Sequence, residues 1–411
     1  MQLTASLPDR FRTALGPVDV PLGLAVSGGG DSVAMLCLAM DARFPVSVVT
    51  VDHGLRAEAA AEAEWVGRLC ARFGVPHKVL RWREWDGSGN LQDQARRARL
   101  RLISDWAKSA GIEAVALGHT QDDQAETVLL RLARRAGVDG LAAMAPTRRH
   151  LGVQWLRPLL AISREELRDY LHSRDQDWIE DPSNQSMRFD RVKARVALGA
   201  LASLGIDNAV LAGVARQMAE ARTALEVQTT QAAREIALIE AGDVVLDRAG
   251  FLGMPPEIQR RLLVAALAWV GSAEYGPRAE PVRELIAAVG RGKGGPLAGC
   301  RVLCRKASVR VTREAQAVID AVAAPGVLWD HRWIVTGAEI NGLQVRALGE
   351  AGLRDCPDWR ETGFPRASLL ASPAVWRGKE LVAAPLARPD GVWQAKLAID
   401  LPAPFLSALS H

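Results

Sequence analysis

The 411-residue chain is short of several features that would place it in other classes of protein. It has five cysteines, Cys37, Cys70, Cys300, Cys304 and Cys356. None forms a CxxC pair, and an odd scatter in a long chain argues against a disulfide framework. Cys300 and Cys304 have no second Cys/His pair nearby, and zinc wants four ligands; the stretch CRVLCRKASVRVT reads instead as a strand, residues 301–311. Apolar runs are short and interrupted by Arg, Asp and Gly, so none is expected to cross a bilayer. Residues 1–12 lack the basic-then-apolar order of a secretory leader. There is no lysine in the glycine loop near residue 28, and so no Walker motif, which needs GxxxxGK[ST]. The segment GRGKGG at 290–295 lacks that spacing and reads as a turn. Repeats and low-complexity tracts are missing too. These absences make a cytoplasmic globular protein the expectation.

About half the residues are hydrophobic (49%) and 24% are charged, an ordinary globular composition, with a net charge of only +4. Such a length predicts two or three domains. The basic residues are uneven: Arg96, Arg97, Arg99 and Arg101 cluster, as do Arg131, Arg134, Arg135, Arg148 and Arg149. Clusters of this kind neutralise phosphates or simply solvate a helix face, and charge alone does not choose between the two.

The first two hundred residues alternate apolar runs with helical patterns. Residues 22–26 (LGLAV) read as a strand, followed by SGGGDS and an apolar helix over 33–40. Residues 46–51, 79–82 and 114–117 read as three further strands, each followed by a helix. This alternation predicts an α/β fold, a doubly wound parallel sheet whose ligands sit at the carboxyl ends of the strands. After about residue 195 the pattern changes. Residues 208–237 read as one long helix, and a mixture of helix (259–270) and strand follows. An Ala/Pro-rich break at 321–325 precedes a last block of short strands. The expected division is a catalytic domain over 1–200, a linker helix over 201–240, and smaller α+β domains over 241–322 and 325–411.

Three polar segments fall at predicted strand ends. In Ser27-Gly28-Gly29-Gly30-Asp31-Ser32 the glycines let successive backbone N–H groups curl around an anion, at a helix N-terminus that adds partial positive charge. Ser27 and Ser32 can donate hydroxyl hydrogen bonds. Asp31 would repel a phosphate unless Mg²⁺ stood between them. In Val51-Asp52-His53-Gly54-Leu55-Arg56, Asp52 and His53 could bond an adenine or ribose edge; a strand-end Asp can also be a plain helix cap. In Gly118-His119-Thr120-Gln121-Asp122-Asp123-Gln124-Ala125-Glu126, helical spacing would put His119, Asp122, Asp123 and Glu126 on one face. Three carboxylates sharing a face repel unless a cation or amine sits among them. The helix dipole explains Asp122 and Asp123 but not Glu126. Mg²⁺, a substrate amine and general-base work are the preferred readings over zinc.

SGGGDS between strand and helix resembles the PP-loop of the N-type ATP pyrophosphatases. With VDHGLR and GHTQDDQAET in this order, the chain resembles the tRNA(Ile)-lysidine synthetase family. The resemblance continues through ARRAR (95–99), RRAGVDGLAAM (134–144), RPLL (157–160), ISREELRDY (162–170) and WIEDPSN (178–184). It covers about the first 195 residues, and the later domains more loosely. The chain departs from the family's pattern at Leu100, where a Tyr is usual, at Arg135, where a Gly is usual, and at Val192, where an Asn is usual.

The resemblance implies an ATP-dependent ligase that joins L-lysine to C2 of the wobble cytidine of isoleucine tRNA with a CAU anticodon. AMP is first transferred to the C2 oxygen, and the lysine amine then displaces it. It implies ATP held by Ser27, Gly28, Gly29, Gly30, Asp31, Ser32, Asp52, His53, Gly118 and His119, and Mg²⁺ on Asp31 and Asp123. Catalysis would fall to Asp31, Asp123 and Glu126. Arg96, Arg99, Asp122, Glu126 and Arg191 would contact lysine or tRNA, and a homodimer is expected. The alternatives are a 2-thiolating PP-loop enzyme, which would want catalytic cysteines, or an amide-forming PP-loop ligase, which would want an ammonia source.

Overall fold

The computed structural model describes residues 5–16, 21–54, 58–82, 91–180, 190–272, 276–337 and 341–398. Leu55 and Arg56 of VDHGLR, residues 181–184 of WIEDPSN, and residues 338–340 and 399–411 of the expected last domain lie outside these. The chain forms two compact units, Met1–Arg222 and Thr223–His411.

The first unit is built on strands β1 (Leu22–Ala25), β2 (Val46–Asp52), β3 (His77–Arg81), β4 (Ala114–Leu117), β5 (Thr147–His150) and β6 (Val153–Leu156). Their order across the sheet is β3-β2-β1-β4-β6-β5. All neighbours are parallel except β5, which pairs antiparallel with β6 as a hairpin. The helices are α1 (Leu7–Leu15), α2 (Gly30–Asp41), α3 (Ala59–Phe73), α4 (Leu91–Ser109), α5 (Gln121–Ala133), α6 (Val138–Leu141), α7 (Arg164–His172) and α8 (Asp190–Leu201).

Successive strand residues go to opposite faces, and here both faces are dry. Leu22, Leu24, Val46, Val48, Ala114, Ala116 and Leu156 share one core with α1, α2, α3 and α7. Their neighbours Val49, Val115, Leu117, Val153 and Trp155 share another with Ile103 and Ala107 of α4. Covering both faces is what makes these strands read as unbroken apolar runs. The sheet is therefore the expected doubly wound one, with the antiparallel edge hairpin as an addition. The chain crosses from β1 out to β3 and returns to β4 on the other side of β1. The loops after β1 and β4 thus meet at the topological switch point, where open α/β sheets bind ligands.

Helix α9 (Asn208–Ile236) carries the chain onward. Leu211 and Ala215 pack with Val128 and Ala143 of the first unit, while Ala232 and Ala233 belong to the core of the second. That second core lies between a five-stranded antiparallel sheet and helices α10 (Arg248–Gly253), α11 (Pro256–Gly271) and α12 (Ala279–Gly290). The sheet comprises β7 (Ala237–Glu240), β8 (Asp243–Asp247), β9 (Gly295–Leu297), β10 (Cys300–Cys304) and β11 (Ser308–Arg313), in the order β7-β8-β11-β10-β9. The single strand expected over 301–311 is in fact the β10–β11 hairpin, in which Arg305 N–H donates back to the Ser308 carbonyl at 2.8 Å. Two three-stranded antiparallel sheets complete the unit. Among the described residues seven tryptophans, Trp82, Trp155, Trp269, Trp329, Trp333, Trp376 and Trp393, are buried in the core.

One departure from the family pattern has a visible backbone consequence. Helix α5 ends in a Schellman turn: Arg135 N–H donates to the Leu132 carbonyl at 2.9 Å and Ala136 N–H to that of Arg131 at 3.0 Å. The turn puts Arg135 at φ +57°, a left-handed conformation that costs a residue with a Cβ about 1–2 kcal/mol. Its side chain is exposed. Replacing Arg135 with Gly should therefore stabilise the protein by about 0.5–1 kcal/mol, after the entropy glycine loses on folding. A raised urea midpoint at unchanged slope is the expected result.

Candidate active site at the ends of β1 and β4

The loop after β1 is held in shape before any ligand arrives. Ser32 is buried; its hydroxyl donates to the Gly29 carbonyl at 2.8 Å and accepts from Ser27 N–H at 3.2 Å. Ser27, by contrast, is exposed. Gly28 sits at φ +93°, and a Cβ there would lie 2.6 Å from Ile179 Cδ1. The Gly28 carbonyl accepts from Ile179 N–H at 2.9 Å, and the Trp178 ring lies 3.4 Å from where a Gly30 Cβ would be. Trp178 and Ile179 thus pack against the loop, a role for the WIEDPSN segment that no local pattern suggested. Helix α2 begins at Gly30 with no side-chain cap; the Ser32 N–H donates to the Gly29 carbonyl at 3.0 Å, while the Gly30 and Asp31 N–H groups have no partner among the described residues and can face an anion.

Gly118 brings the two strand ends together. A Cβ on it would sit 3.3 Å from the Asp31 backbone and from Ser32 Cα. Its structural role is this close approach.

Helix α5 begins at Gln121, with Thr120 as N-cap in a capping box: Thr120 Oγ1 accepts from Asp123 N–H, and Asp123 Oδ2 accepts from Thr120 N–H at 2.9 Å. His119 therefore precedes the helix, and the expected four-residue face does not form. Asp122 also turns elsewhere. It accepts from the Arg164 backbone N–H at 2.8 Å and from Asn208 Nδ2 at 2.8 Å.

The remaining carboxylates do converge, and a guanidinium lies among them. Arg164, the first residue of α7, donates from Nε to Asp31 at 3.2 Å, from Nη2 to Asp123 at 2.7 Å and from Nη1 to Glu126 at 2.8 Å. Glu126 Oε1 also accepts from Arg195 Nη2 at 3.0 Å, and Arg191 lies 3.5 Å from Asp123. Sequence reasoning anticipated that a cation must sit there, but not that the chain supplies it. The readable signal was Ser163-Arg164-Glu165-Glu166, a capping box that places Arg164 at a helix start. Burial raises the Asp31 carboxyl above its usual range despite Arg164. Burial would raise Asp123 as well, but Arg164 and the Thr120 N–H outweigh it and hold that carboxyl down.

Beside this cluster lies a cationic one. Arg99 carries a buried Nε with no hydrogen-bond partner, and burial, reinforced by Arg96 and Arg191, pushes its guanidinium down to about 10. Burial likewise pushes Arg157 down to about 10, with Arg96 and Arg148 adding to it. Arg99 and Arg157 show no acid partner among the described residues, and arginines so placed at a ligand-binding strand end favour a phosphate-bearing ligand. His53 and His119 both border Arg99; each has a buried, unpartnered Nδ1. Asp52 accepts from Gly54 N–H at 2.9 Å, an Asx turn that orients its carboxylate.

For a divalent cation, Asp31 Oδ1 is an oxygen with no protein partner among the described residues, whereas both oxygens of Asp123 are engaged. Mg²⁺ is normally held by one or two carboxylates together with substrate phosphates, so Asp31 beside a phosphate loop fits it.

The fold and this loop define an ATP-using PP-loop enzyme domain, and a family model for the PP-loop domain matches residues 10–201. The relatives are more specific. The chain is 50% identical over 395 residues to a tRNA(Ile)-lysidine synthase of Ruegeria pomeroyi, covering 95% of this chain and 94% of that protein. It is 37% identical to one of Hyphomonas neptunium, covering 84% and 92%. The chain belongs to the tRNA(Ile)-lysidine synthase family. Among solved structures, the U34-tRNA thiolase of Methanococcus maripaludis matches with a TM-score of 0.45 and 17% identity over 51% of this chain and 77% of that one. Thiolation chemistry does not suit the cysteines of this unit: burial pushes the thiols of Cys37 and Cys70 up to about 11, so neither is a thiolate at neutral pH.

His119 gives a pH signature. Burial pushes its imidazole down to about 3, with Arg157, Arg99 and Arg191 acting in the same direction against Asp123. The folded value lies below the ordinary 6.5, so the unfolded chain takes up the extra proton first and stability falls as pH drops below about 6.5. A His119→Gln variant should lose less stability than the wild type between pH 7 and pH 5, measured by urea denaturation.

Proposed function

We propose that this enzyme ligates L-lysine to C2 of the wobble cytidine in isoleucine tRNA bearing a CAU anticodon, consuming ATP and releasing AMP and pyrophosphate. The observation that carries the residue-level reading is the meeting of the glycine loop with Asp31, Asp123 and Glu126 at one strand-end cleft.

The C2 carbonyl of cytosine is a poor electrophile, and its oxygen is a poor leaving group. In the first step that oxygen attacks the α-phosphorus of ATP; the bond to the β-phosphate oxygen breaks and pyrophosphate departs. The Gly30 and Asp31 N–H groups at the start of α2, with Ser27, hold the phosphates, Ser32 braces the loop, and Arg99 and Arg157 add positive charge. Asp31 would hold Mg²⁺, which would neutralise charge on the departing pyrophosphate. Asp52, neutral His53 and His119 border the nucleotide. In the second step the lysine ε-amine attacks C2, the C2–O bond breaks and AMP leaves. The ammonium must first lose a proton. Glu126 and Asp123 are the recognition and base groups; Asp122 orients Arg164 and the start of α7. The anticodon loop is single-stranded already, so presenting the base costs little. Arg96 and Arg191, both exposed, would contact tRNA phosphates.

The proposal extends to a cytoplasmic homodimer, and to a division of the second unit into parts over 241–322 and 325–411 that read the tRNA body. Its test is mass spectrometry of nucleosides from isoleucine tRNA after incubation with enzyme, ATP, Mg²⁺ and L-lysine. A lysine adduct on the anticodon cytidine, absent without ATP, is expected; sulfur or ammonia incorporation instead would overturn the substrate. Glu126→Gln should retain AMP transfer while slowing lysine transfer by roughly 10²–10⁴-fold, the worth of a positioned base.

A further inference from the structure

Arg164 stands where a substrate cation would be expected. Its three nitrogens reach three carboxylates: Nε to Asp31 at 3.2 Å, Nη2 to Asp123 at 2.7 Å and Nη1 to Glu126 at 2.8 Å. With Arg191 on Asp123 and Arg195 on Glu126, three positive side chains already face three negative ones. One acceptor is nevertheless unmet. Glu126 is 1% exposed, and its Oε2 is buried without a hydrogen bond. A buried acceptor left this way carries a desolvation cost that a ligand's donor would remove.

We propose that Arg164 is an internal stand-in for the substrate ammonium: it fills the lysine subsite of the unliganded enzyme and withdraws from Asp123 and Glu126 before lysine binds. The inference rests on the reading of those two carboxylates as the lysine-binding groups. Charge requires the withdrawal. A lysine ammonium accepted by Glu126 and Asp123 while Arg164 stays would set two cations side by side in a cluster that is already neutral.

The local structure allows the movement. The Arg164 backbone is fixed independently of its guanidinium, by the Asp122 carboxylate on its N–H at 2.8 Å and by the Ser163–Glu166 capping box. The side chain can therefore rotate about its own bonds without disturbing α7. It is 21% exposed, so a path to solvent exists. Asp31 is the residue that follows the glycine loop, and a triphosphate held there offers the guanidinium a second anionic partner.

Lysine should then bind weakly to the free enzyme and more tightly once nucleotide is present, because apparent affinity scales with the fraction of molecules whose subsite is vacant. Binding order follows from a side chain rather than from a domain movement.

The test is calorimetric titration of L-lysine into the full-length enzyme, with and without α,β-methylene-ATP. The wild type is expected to bind lysine more tightly with the analogue. Arg164→Gln should bind lysine without nucleotide roughly tenfold more tightly than the wild type, as a ten-per-cent-vacant subsite becomes fully vacant, and should lose most of the enhancement by the analogue. Arg164→Lys, which keeps the charge with a single donor group, should fall between them. A merely structural role for Arg164 would weaken binding in either variant. Equal or weaker affinity in Arg164→Gln and Arg164→Lys would overturn the inference, as would a wild type that binds lysine with the same affinity with and without the analogue. A wild type that binds no lysine under either condition would overturn the assignment of Asp123 and Glu126 itself.

Discussion

Everything at this site depends on gathering like charges where two strands end. Asp31 comes from α2 while Asp123 and Glu126 come from α5, and they meet because β1 and β4, which precede these helices, are neighbours across the switch point of the sheet. Left alone they would repel one another, and their burial makes the repulsion harder to screen. Arg164, Arg191 and Arg195 balance them. The balance is local, since Arg99 and Arg157 near His119 each keep a buried Nε with no hydrogen-bond partner. One cleft thus offers a region suited to an ammonium beside a region suited to phosphates. A reaction that joins an amine to a base through a phosphorylated oxygen needs both.

Much of this was legible because its determinants are local. Four of the strands of the first unit, the loop between β1 and α2, and the long helix α9 follow from apolar runs, glycines and helical period, which the chain carries in contiguous stretches. The hairpin of β5 and β6 was not, as its exposed Thr147-Arg148-Arg149 strand has no apolar face to betray it. Nor was the turn between β10 and β11, where Arg305, Lys306 and Ala307 stand in place of the usual Gly or Asn. The misplacement of His119 on α5 had a readable cure: Thr120 followed three residues later by Asp123 is a capping signature, and it starts the helix after the histidine.

The site was legible in parts rather than as a whole. That three acids require a cation is elementary electrostatics. Which cation supplies it depends on contacts that span 38 to 133 residues of chain, as between Arg164 and Glu126 or Asp31, and no local spacing encodes those. The same holds for Trp178 and Ile179 against the glycine loop. The second unit is less informative still. Its tryptophans are mostly core and Asp243 with Arg310 and Ser368 forms an internal polar grouping, so its proposed reading of the tRNA body rests on the family resemblance.

The central claim is chemical: the base oxygen is converted to a leaving group by AMP transfer and then departs with that AMP. It is tested most directly by labelling the C2 oxygen of the wobble cytidine with ¹⁸O and analysing the products of one turnover with ATP and L-lysine. The account predicts that the label leaves the tRNA and appears in AMP. Label in water or in pyrophosphate, or label retained on a lysine-modified base, would contradict it.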